Sequence, residues 1–251
     1  MKFTKTLAVA SVALGMALVS GAASALSIGL TGGSNVAGFG NDRVFTSGSL
    51  IVTADAWSNT GTGVNLGKIQ TANLGTYSGG LGVCNQSAAE SPNCGTPNHA
   101  VDNSGAFDSV LFSFNTAVDL DRVDFGYISG DADFSVLRYT GAGTVSSLAN
   151  LTYEGMVAAG GGWSVVGNYN NGSSTNPIAG TNTSKYWLVA AFNTAFGAAA
   201  TNLGTGNDYF KISAISVTVP QPTTTQVPEP ATLALLGLGL AGVGFSRRRR
   251  H

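Results

Sequence analysis

Short segments with alternating apolar residues are the feature that most restricts the fold of this 251-residue chain. An apolar residue at every second position is typical of a strand with one buried face. Such runs are formed by Val110, Phe112 and Phe114, by Tyr186, Leu188, Ala190 and Phe192, and by Trp163, Val165 and Tyr169. Apart from one helical turn expected at 195–201, no segment between residues 26 and 226 shows convincing helical periodicity. The pattern therefore predicts β-structure.

Turn-forming residues separate these segments. Clusters rich in Gly, Asn, Ser and Thr occupy residues 59–63, 140–143 and 170–174, at the spacing that antiparallel strands need. The chain contains 35 glycines and only 10% charged residues, a composition found in secreted β-rich proteins and also in partly disordered ones. Because the alternation argues against disorder, we predict one all-β domain over residues 26–219, an antiparallel β-sandwich of jelly-roll type.

The alternation changes phase inside two segments. The apolar residues move from Val118 and Leu120 to Val123, Phe125 and Tyr127 in the first segment, and from Phe210 and Ile212 to Ile215, Val217 and Val219 in the second. Because the side chains of a strand alternate with a period of two, a slip of one residue exchanges its two faces. Each slip therefore predicts a β-bulge or a strand that crosses between sheets.

The N-terminus has the three parts of a secretory signal peptide. Lys2 and Lys5 form a basic region, residues 7–19 are apolar, and the small residues Ala23-Ser24-Ala25 form a cleavage site. We therefore predict a signal peptide over residues 1–25 and export of the mature chain through the inner membrane.

The C-terminus combines a proline-containing triplet, an apolar segment and a cluster of arginines. Residues 220–227 form a Pro/Thr linker, and Pro228-Glu229-Pro230 then predicts the start of a helix, because a helix tolerates proline in its first turn. Residues 231–245 carry no charge and make a helix of roughly 22 Å, short for a hydrocarbon core of about 30 Å. We expect a short transmembrane helix, held at the cytoplasmic face by the arginines that follow it. These are Arg247, Arg248, Arg249 and Arg250.

The triplet, the Gly- and Leu-rich helix and the arginines, together residues 228–251, resemble the PEP-CTERM sorting signal of Gram-negative bacteria. The resemblance implies that an exosortase, a membrane-embedded processing enzyme, cuts near residues 228–230 and passes the rest to the cell surface. The alternative is a permanent tail anchor. Four glycines in the helix argue against that alternative, since each costs about 1 kcal/mol relative to Ala. They are Gly237, Gly239, Gly242 and Gly244.

A second resemblance covers roughly half of the mature chain. It rests on the segments 54–58, 77–83, 97–103, 108–114, 131–137 and 139–141, which resemble an exosortase-dependent surface protein family. This resemblance implies export and surface display, and it carries no assigned activity.

The exported part of the chain is acidic. It retains six basic residues against twelve acidic ones, because the two termini hold the other six lysines and arginines. The net negative charge argues against nucleic acid as a partner.

The chain has two cysteines, Cys84 and Cys94, and the nine residues between them have the composition of a loop. In an exported protein this spacing predicts a disulfide that closes the loop and contributes about 2 to 3 kcal/mol if it is unstrained. Two free thiols or half of a metal site are the alternatives. The metal site is the weaker of these, because His99 is the one further soft ligand nearby and zinc takes four ligands.

Aspartates are concentrated in one stretch, since seven of the thirteen acidic residues lie within residues 102–133. Calcium binds about six to eight oxygen atoms and tolerates irregular geometry. The candidate calcium ligands are therefore Asp102 with Asn103, and Asp131 with Asp133, although no EF-hand or RTX repeat spacing accompanies them. The alternative is a set of solvated aspartates that discourage pairing between sheet edges.

Candidate catalytic residues are scarce. His99 is the one histidine before the sorting signal, and its place beside Pro97 and Asn98 is typical of a loop. Glu90, Glu154 and the aspartates offer carboxylates for a glycosidase, but no spacing selects a pair. We expect the tryptophans to be buried in the core rather than exposed for stacking on sugars. They are Trp57, Trp163 and Trp187.

Three classes of function remain. The first is an exported, exosortase-processed surface or extracellular-matrix protein without catalytic activity, associated with exopolysaccharide. The second is a calcium-dependent, lectin-like carbohydrate-binding module, which requires exposed aromatic rings near the aspartates. The third is a secreted glycoside hydrolase, which requires two carboxylates in a cleft or His99 beside a nucleophile. The sorting-signal resemblance favours the first class.

Overall fold

The structure, a computed structural model, describes residues 24–32, 34–35, 38–90, 99–170, 172–180, 182–197, 202–204, 206–220 and 232–248. The chain divides into two units, Met1–Pro220 and Gln221–His251. Of the predicted signal peptide, only Ser24 and Ala25 fall within the described residues, and they lie in the first strand. The signal peptide therefore stays a prediction.

Within the described residues, the first unit contains fourteen strands, one short α-helix and two 3-10 turns. The strands are β1 (Ser24–Gly29), β2 (Ser34–Asn35), β3 (Asp42–Ser47), β4 (Leu50–Ser58), β5 (Gln70–Thr71), β6 (Asn73–Tyr77), β7 (Gly80–Cys84), β8 (Val101–Asp102), β9 (Asp108–Gly130), β10 (Phe134–Tyr139), β11 (Trp163–Tyr169), β12 (Asn176–Pro177), β13 (Thr183–Ala191) and β14 (Asp208–Val219). Helix α1 spans Tyr153–Val157, and the 3-10 turns span Gly63–Asn65 and Thr194–Phe196.

These strands form one sheet in which the main order is β11-β10-β13-β9-β14-β7-β6, and neighbouring strands are antiparallel. The prediction of an all-β, antiparallel domain is confirmed. The described strands belong to a single continuous sheet rather than to two separate ones. The sandwich of jelly-roll type therefore is not confirmed and stays a prediction.

Strand β9 connects the two halves of the sheet. Its first half pairs with β13 and β4, whereas its second half pairs with β14 and β12. The exchange occurs at Asp119, which pairs with both Thr183 of β13 and Thr218 of β14. The first predicted phase slip falls in this segment, and the second coincides with a register shift of β14 between Ile212 and Ala214. Both slips therefore mark real irregularities of the sheet.

The main core contains residues from both halves of the sheet. The alternating residues predicted from the sequence belong to it: Val110, Phe112 and Phe114 of β9, and Phe210, Ile212, Ile215 and Val217 of β14. The ring of Phe125 stacks on Phe210 at a centroid distance of 4.2 Å and meets the ring of Phe134 edge-on at 5.0 Å. Such pairs contribute about 0.5 to 1.5 kcal/mol each beyond their buried area.

A second, smaller core lies on the other face of β13. Leu188 and Ala190 belong to it, whereas the alternating Trp187 and Val189 belong to the main core. The sequence pattern identified one buried face of β13, and the structure buries both.

Helix α1 contributes Tyr153 and Met156 to the second core. It begins after Thr152, whose Oγ1 accepts a hydrogen bond of 3.0 Å from the backbone N–H of Gly155. Helix α1 was not predicted from the sequence, because five residues are too few to show a helical period.

Two residues lie on a different face from the one predicted. Tyr169 stacks on Phe134 in the main core, whereas Trp163 packs in the second core, because a register shift between β10 and β11 inverts the alternation. Tyr127 pairs with Lys211 while Phe125 pairs with Ile212. Gly126, between Phe125 and Tyr127, has no paired residue on β14. Tyr127 therefore points away from the main core.

The second unit contains helix α2 (Thr232–Arg248), 17 residues with Arg247 and Arg248 in its last turn. Among the described residues, none of the helices combines the length and the apolar character needed to cross a bilayer. The prediction that this segment spans a membrane is not confirmed. Pro228, Glu229, Pro230, Arg249 and Arg250 lie outside the described residues.

Candidate functional site

The structure keeps one of the two residue pairs predicted to bind calcium together and separates the other. Asp102 lies with Glu90 and Asp108, and each of these offers a carboxylate oxygen within 4.8 Å of the others. Asp131 and Asp133 lie in a second group of the same kind, together with Asp208. Asn103 contacts only the second group, by a hydrogen bond to Asp208. Successive residues of an extended chain point to opposite sides, which explains why Asp102 and Asn103 separate.

The first group, which we call the carboxylate triad, comprises Glu90, Asp102 and Asp108. Glu90 follows β7, Asp102 ends β8 and Asp108 begins β9, and the three residues are only 6%, 2% and 0% exposed. Asn85 holds two of them together. Its backbone N–H and Nδ2 donate to the two oxygens of Glu90, both at 2.8 Å, and Nδ2 also donates to Oδ1 of Asp108 at 3.0 Å.

The triad has no positive partner in the described part of the chain. Oδ2 of Asp108 is buried without a hydrogen bond, and so is the hydroxyl of Ser58. That hydroxyl is close enough to lower the pKa of Asp108, but its geometry does not satisfy a hydrogen bond. The triad therefore contains an oxygen that nothing in the described chain satisfies.

Burial is the main cause of the altered acidity of the triad. It raises the pKa of Asp102 to about 7, and the charge of Glu90 raises it further against the hydrogen bond from Ser104. Burial, with repulsion from Asp102 and Glu90, raises the pKa of Asp108 well above its ordinary value. The pKa of Glu90 is also raised by burial. Close carboxylates of this kind are stabilised either by protons or by a cation.

The second group, which we call the acidic loop network, comprises Asp131, Asp133, Asp208 and Asn103. Each carboxylate accepts a backbone hydrogen bond: Asp131 from Ala132 at 2.9 Å, Asp133 from Gly204 at 2.7 Å, and Asp208 from Asp133 at 2.8 Å. Oδ1 of Asn103 accepts from the N–H groups of Gly206 and Asp208, at 2.8 and 3.1 Å. Burial, followed by repulsion from Asp133, raises the pKa of Asp208 to about 7. The network ties a loop to β8 and β14.

Asp108, Asp208 and Glu90 belong to these groups without having been predicted from the sequence. Asp108 lay within the aspartate-rich stretch but was not selected. Asp208 lies 105 positions from Asn103, and only the pairing of β8 with β14 brings the two together. The remaining aspartates of the stretch, Asp119, Asp121 and Asp124, belong to neither group, and Asp124 pairs with Arg122 at 2.9 Å.

The C-terminal unit supplies the decisive comparison. A family model described as the PEP-CTERM protein-sorting motif matches residues 226–250. The chain therefore carries a PEP-CTERM sorting motif at its C-terminus. The motif implies processing by an exosortase, export and sorting to the cell surface. No curated protein and no solved structure matches the chain.

The other residues singled out in the sequence lie outside the two acidic groups. The ring of His99 stacks on Tyr77 at 3.9 Å, and Glu154 lies exposed in the first turn of α1. Cys84 is buried at the end of β7, and its expected partner Cys94 lies outside the described residues, so the disulfide stays a prediction. The expectation of buried tryptophans is confirmed. Trp57 and Trp163 are each 6% exposed and Trp187 is 0% exposed.

Proposed function

We propose that the β domain of this PEP-CTERM protein is a surface or matrix protein without catalytic activity, associated with exopolysaccharide. The sorting motif at residues 226–250 is the observation that carries the proposal, because it directs the chain to an exosortase and the cell surface. An acidic, glycine-rich and charge-poor β domain suits a hydrated polysaccharide environment.

The proposed route has three steps. The signal peptide over residues 1–25 directs export, and the segment that contains α2 holds the chain at the inner membrane with its arginines on the cytoplasmic side. The exosortase then removes the segment from about residues 228–230 onward. In the oxidising environment outside the cytoplasm, Cys84 and Cys94 pair.

The intact mass of the protein recovered from culture tests this route. In cells with the exosortase, we expect the mature chain to lack its first 25 residues and roughly twenty residues from its C-terminus. In cells without the exosortase, the C-terminal residues should be retained and the protein should stay with the membrane fraction. Mature material in the cytosol that still contains His251 would contradict the route.

Exopolysaccharide association and the absence of catalysis need separate assays. The mature protein should sediment with exopolysaccharide from the producing cells, and it should leave the chain length of that polysaccharide unchanged. Hydrolysis that is lost in Glu154→Gln or His99→Ala would contradict the absence of catalysis.

The carboxylate triad favours a second candidate function, a calcium-dependent carbohydrate-binding module. The buried, unsatisfied Oδ2 of Asp108 beside two further carboxylates fits a hard divalent cation, which binds oxygen ligands. Glu90 and Asp108 would hold the ion together with Asp102, the one residue of the triad that was predicted from the sequence. A glycan array with and without calcium tests this candidate, and binding that is indifferent to calcium would exclude it.

A further inference from the structure

A pocket of about 380 Å³ shares no lining residue with the carboxylate triad or the acidic loop network. It is lined by Tyr77, Ser78, His99, Tyr127 and Lys211. Two tyrosines, a histidine and a lysine in one concavity combine apolar ring surface with a positive charge, which is the composition of a site for a polar ligand with an apolar face. We call it the Lys211 pocket.

The pairing of β9 with β14 forms the floor of the pocket. Phe210 and Ile212 point into the main core, so Lys211 between them points to the opposite face. The register shift at Gly126 turns Tyr127 to that same face, directly across from Lys211. An irregularity of the sheet thus places an aromatic ring beside a lysine.

The turn between β6 and β7 forms the wall, and glycines allow its close approach. A Cβ atom at Gly79 would lie 2.7 Å from Cβ of Tyr127, and one at Gly80 would overlap the backbone of Ile212. Both glycines have positive φ, +96° and +121°, which disfavours other residues as well. The turn therefore packs against the backbone of β9 and β14 and brings Tyr77 and Ser78 to the pocket.

Lys211 is buried without a counter-ion. It is 4% exposed, and no carboxylate of the described residues forms an ion pair with it. Its Nζ lies 4.0 Å from the ring centroid of Tyr127 and 5.6 Å from that of Tyr77. Cation–π contacts offset only part of the cost of removing an ammonium group from water. The pocket thus presents a positive charge that is held in place by rings and lacks an anion.

We infer that the Lys211 pocket binds a sugar residue that carries a carboxylate, a uronate of an acidic polysaccharide. The inference rests on the proposed association with exopolysaccharide and names the class of sugar. The carboxylate supplies the missing anion for Lys211 in a charge-assisted hydrogen bond. The rings of Tyr77 and Tyr127 offer apolar surface to the C–H groups of the sugar. A free inorganic anion would satisfy the charge but would leave the ring surface unused.

Titration calorimetry of the mature protein with oligogalacturonate and oligoglucuronate tests the inference. Lys211→Met removes the charge and keeps the length of the side chain, so we expect it to fold and to bind about ten- to a hundred-fold more weakly. Lys185→Met, which removes one charge from an exposed position of β13, should bind like the unmodified protein. Methyl-esterified oligogalacturonate, which has the same rings and no charge, should not bind.

Tyr77→Leu provides a second variant if Lys211→Met does not fold. It removes ring surface and keeps the charge, so uronate binding should weaken while any binding of acetate stays unchanged. Equal binding by Lys211→Met and the unmodified protein would overturn the inference, and so would equal binding of the methyl ester. Acetate that competes as well as the oligosaccharide would overturn the sugar assignment.

These outcomes separate the inference from the function on which it rests. If exopolysaccharide from the producing cells binds equally to the unmodified protein and to Lys211→Met, the pocket is excluded and the proposed function stands. If the unmodified protein binds neither this polysaccharide nor the uronates, both fail.

Discussion

The carboxylate triad and the acidic loop network have nearly the same composition, and they differ in one buried oxygen, Oδ2 of Asp108. Each places three carboxylates with oxygens within 4.8 Å, at buried or partly buried positions. In the network, every carboxylate accepts a backbone N–H and Asn103 connects the loop to the strands. In the triad, Oδ2 of Asp108 has no hydrogen bond.

The difference shows that proximity of acids does not by itself define a cation site. A carboxylate whose oxygens accept N–H groups stabilises the folded backbone and gains less from an ion. A carboxylate with an unsatisfied buried oxygen carries a cost that a cation would remove. We therefore expect a structural role for the network and, as proposed above, a cation-binding role for the triad.

The largest expected effect on stability comes from disrupting the acidic loop network. Asn103→Ala removes the acceptor for two N–H groups and the donor to Asp208 and to the carbonyl of Phe192. Because buried groups are left unsatisfied, the free energy of unfolding should fall by about 3 to 5 kcal/mol, measured by urea denaturation.

Two variants serve as controls for Asn103→Ala. Asn115→Ala removes an exposed asparagine that also bonds to the backbone, at Ile51 and Ser49, and it should cost about 1 kcal/mol or less. Asp108→Asn in the triad, measured without metal, should leave stability nearly unchanged because Asn85 can still donate to its oxygen. A larger loss in Asp108→Asn than in Asn103→Ala would reverse the two assigned roles.

The second effect is stabilisation by calcium. At a calcium concentration about 100 times the Kd, the free energy of unfolding should rise by about 2.7 kcal/mol, because the ion binds only the folded triad. Asp108→Asn should abolish this rise, and Asp131→Asn should retain it. Melting curves in calcium and in EGTA measure both. A rise that Asp131→Asn abolishes instead would move the ion to the acidic loop network.

Local patterns of the sequence predicted the strands and their irregularities. Val110, Phe112 and Phe114 were placed on one face, and the slip after Leu120 marked a register shift between β9 and β14. The apolar residues of one face recur with a period of two because burial of that face is a local constraint.

Features that depend on strand register could not be predicted. Asp208 joins Asp131 and Asp133 only after β14 pairs with β9, and Tyr127 changes face only because Gly126 is left over in that pairing. No short-range pattern records which residue of a distant strand lies opposite. The sequence therefore indicated that acidic residues gather near residues 102–133, but not how they divide between the acidic loop network and the carboxylate triad.

The smallest expected effect concerns a partly buried carboxyl outside both groups. Asp55 of β4 pairs with Asp42 of β3, and burial, with a smaller contribution from Asp42, raises its pKa from 3.8 to about 6. The folded chain therefore holds this proton more tightly than the unfolded chain, so stability is lost as the pH rises through about 4 to 6.

Asp55→Asn tests whether a raised pKa alone produces a response to calcium. The variant should gain about 1 kcal/mol at pH 7.5, allowing for solvent screening, and nothing at pH 4, where Asp55 is protonated. Urea denaturation at both pH values measures the gain, and it should be the same in calcium and in EGTA. An equal gain at pH 4 would assign it to packing. A calcium-dependent gain would mean that acidity, rather than the unsatisfied oxygen of Asp108, selects the cation, and the distinction between triad and network would fail.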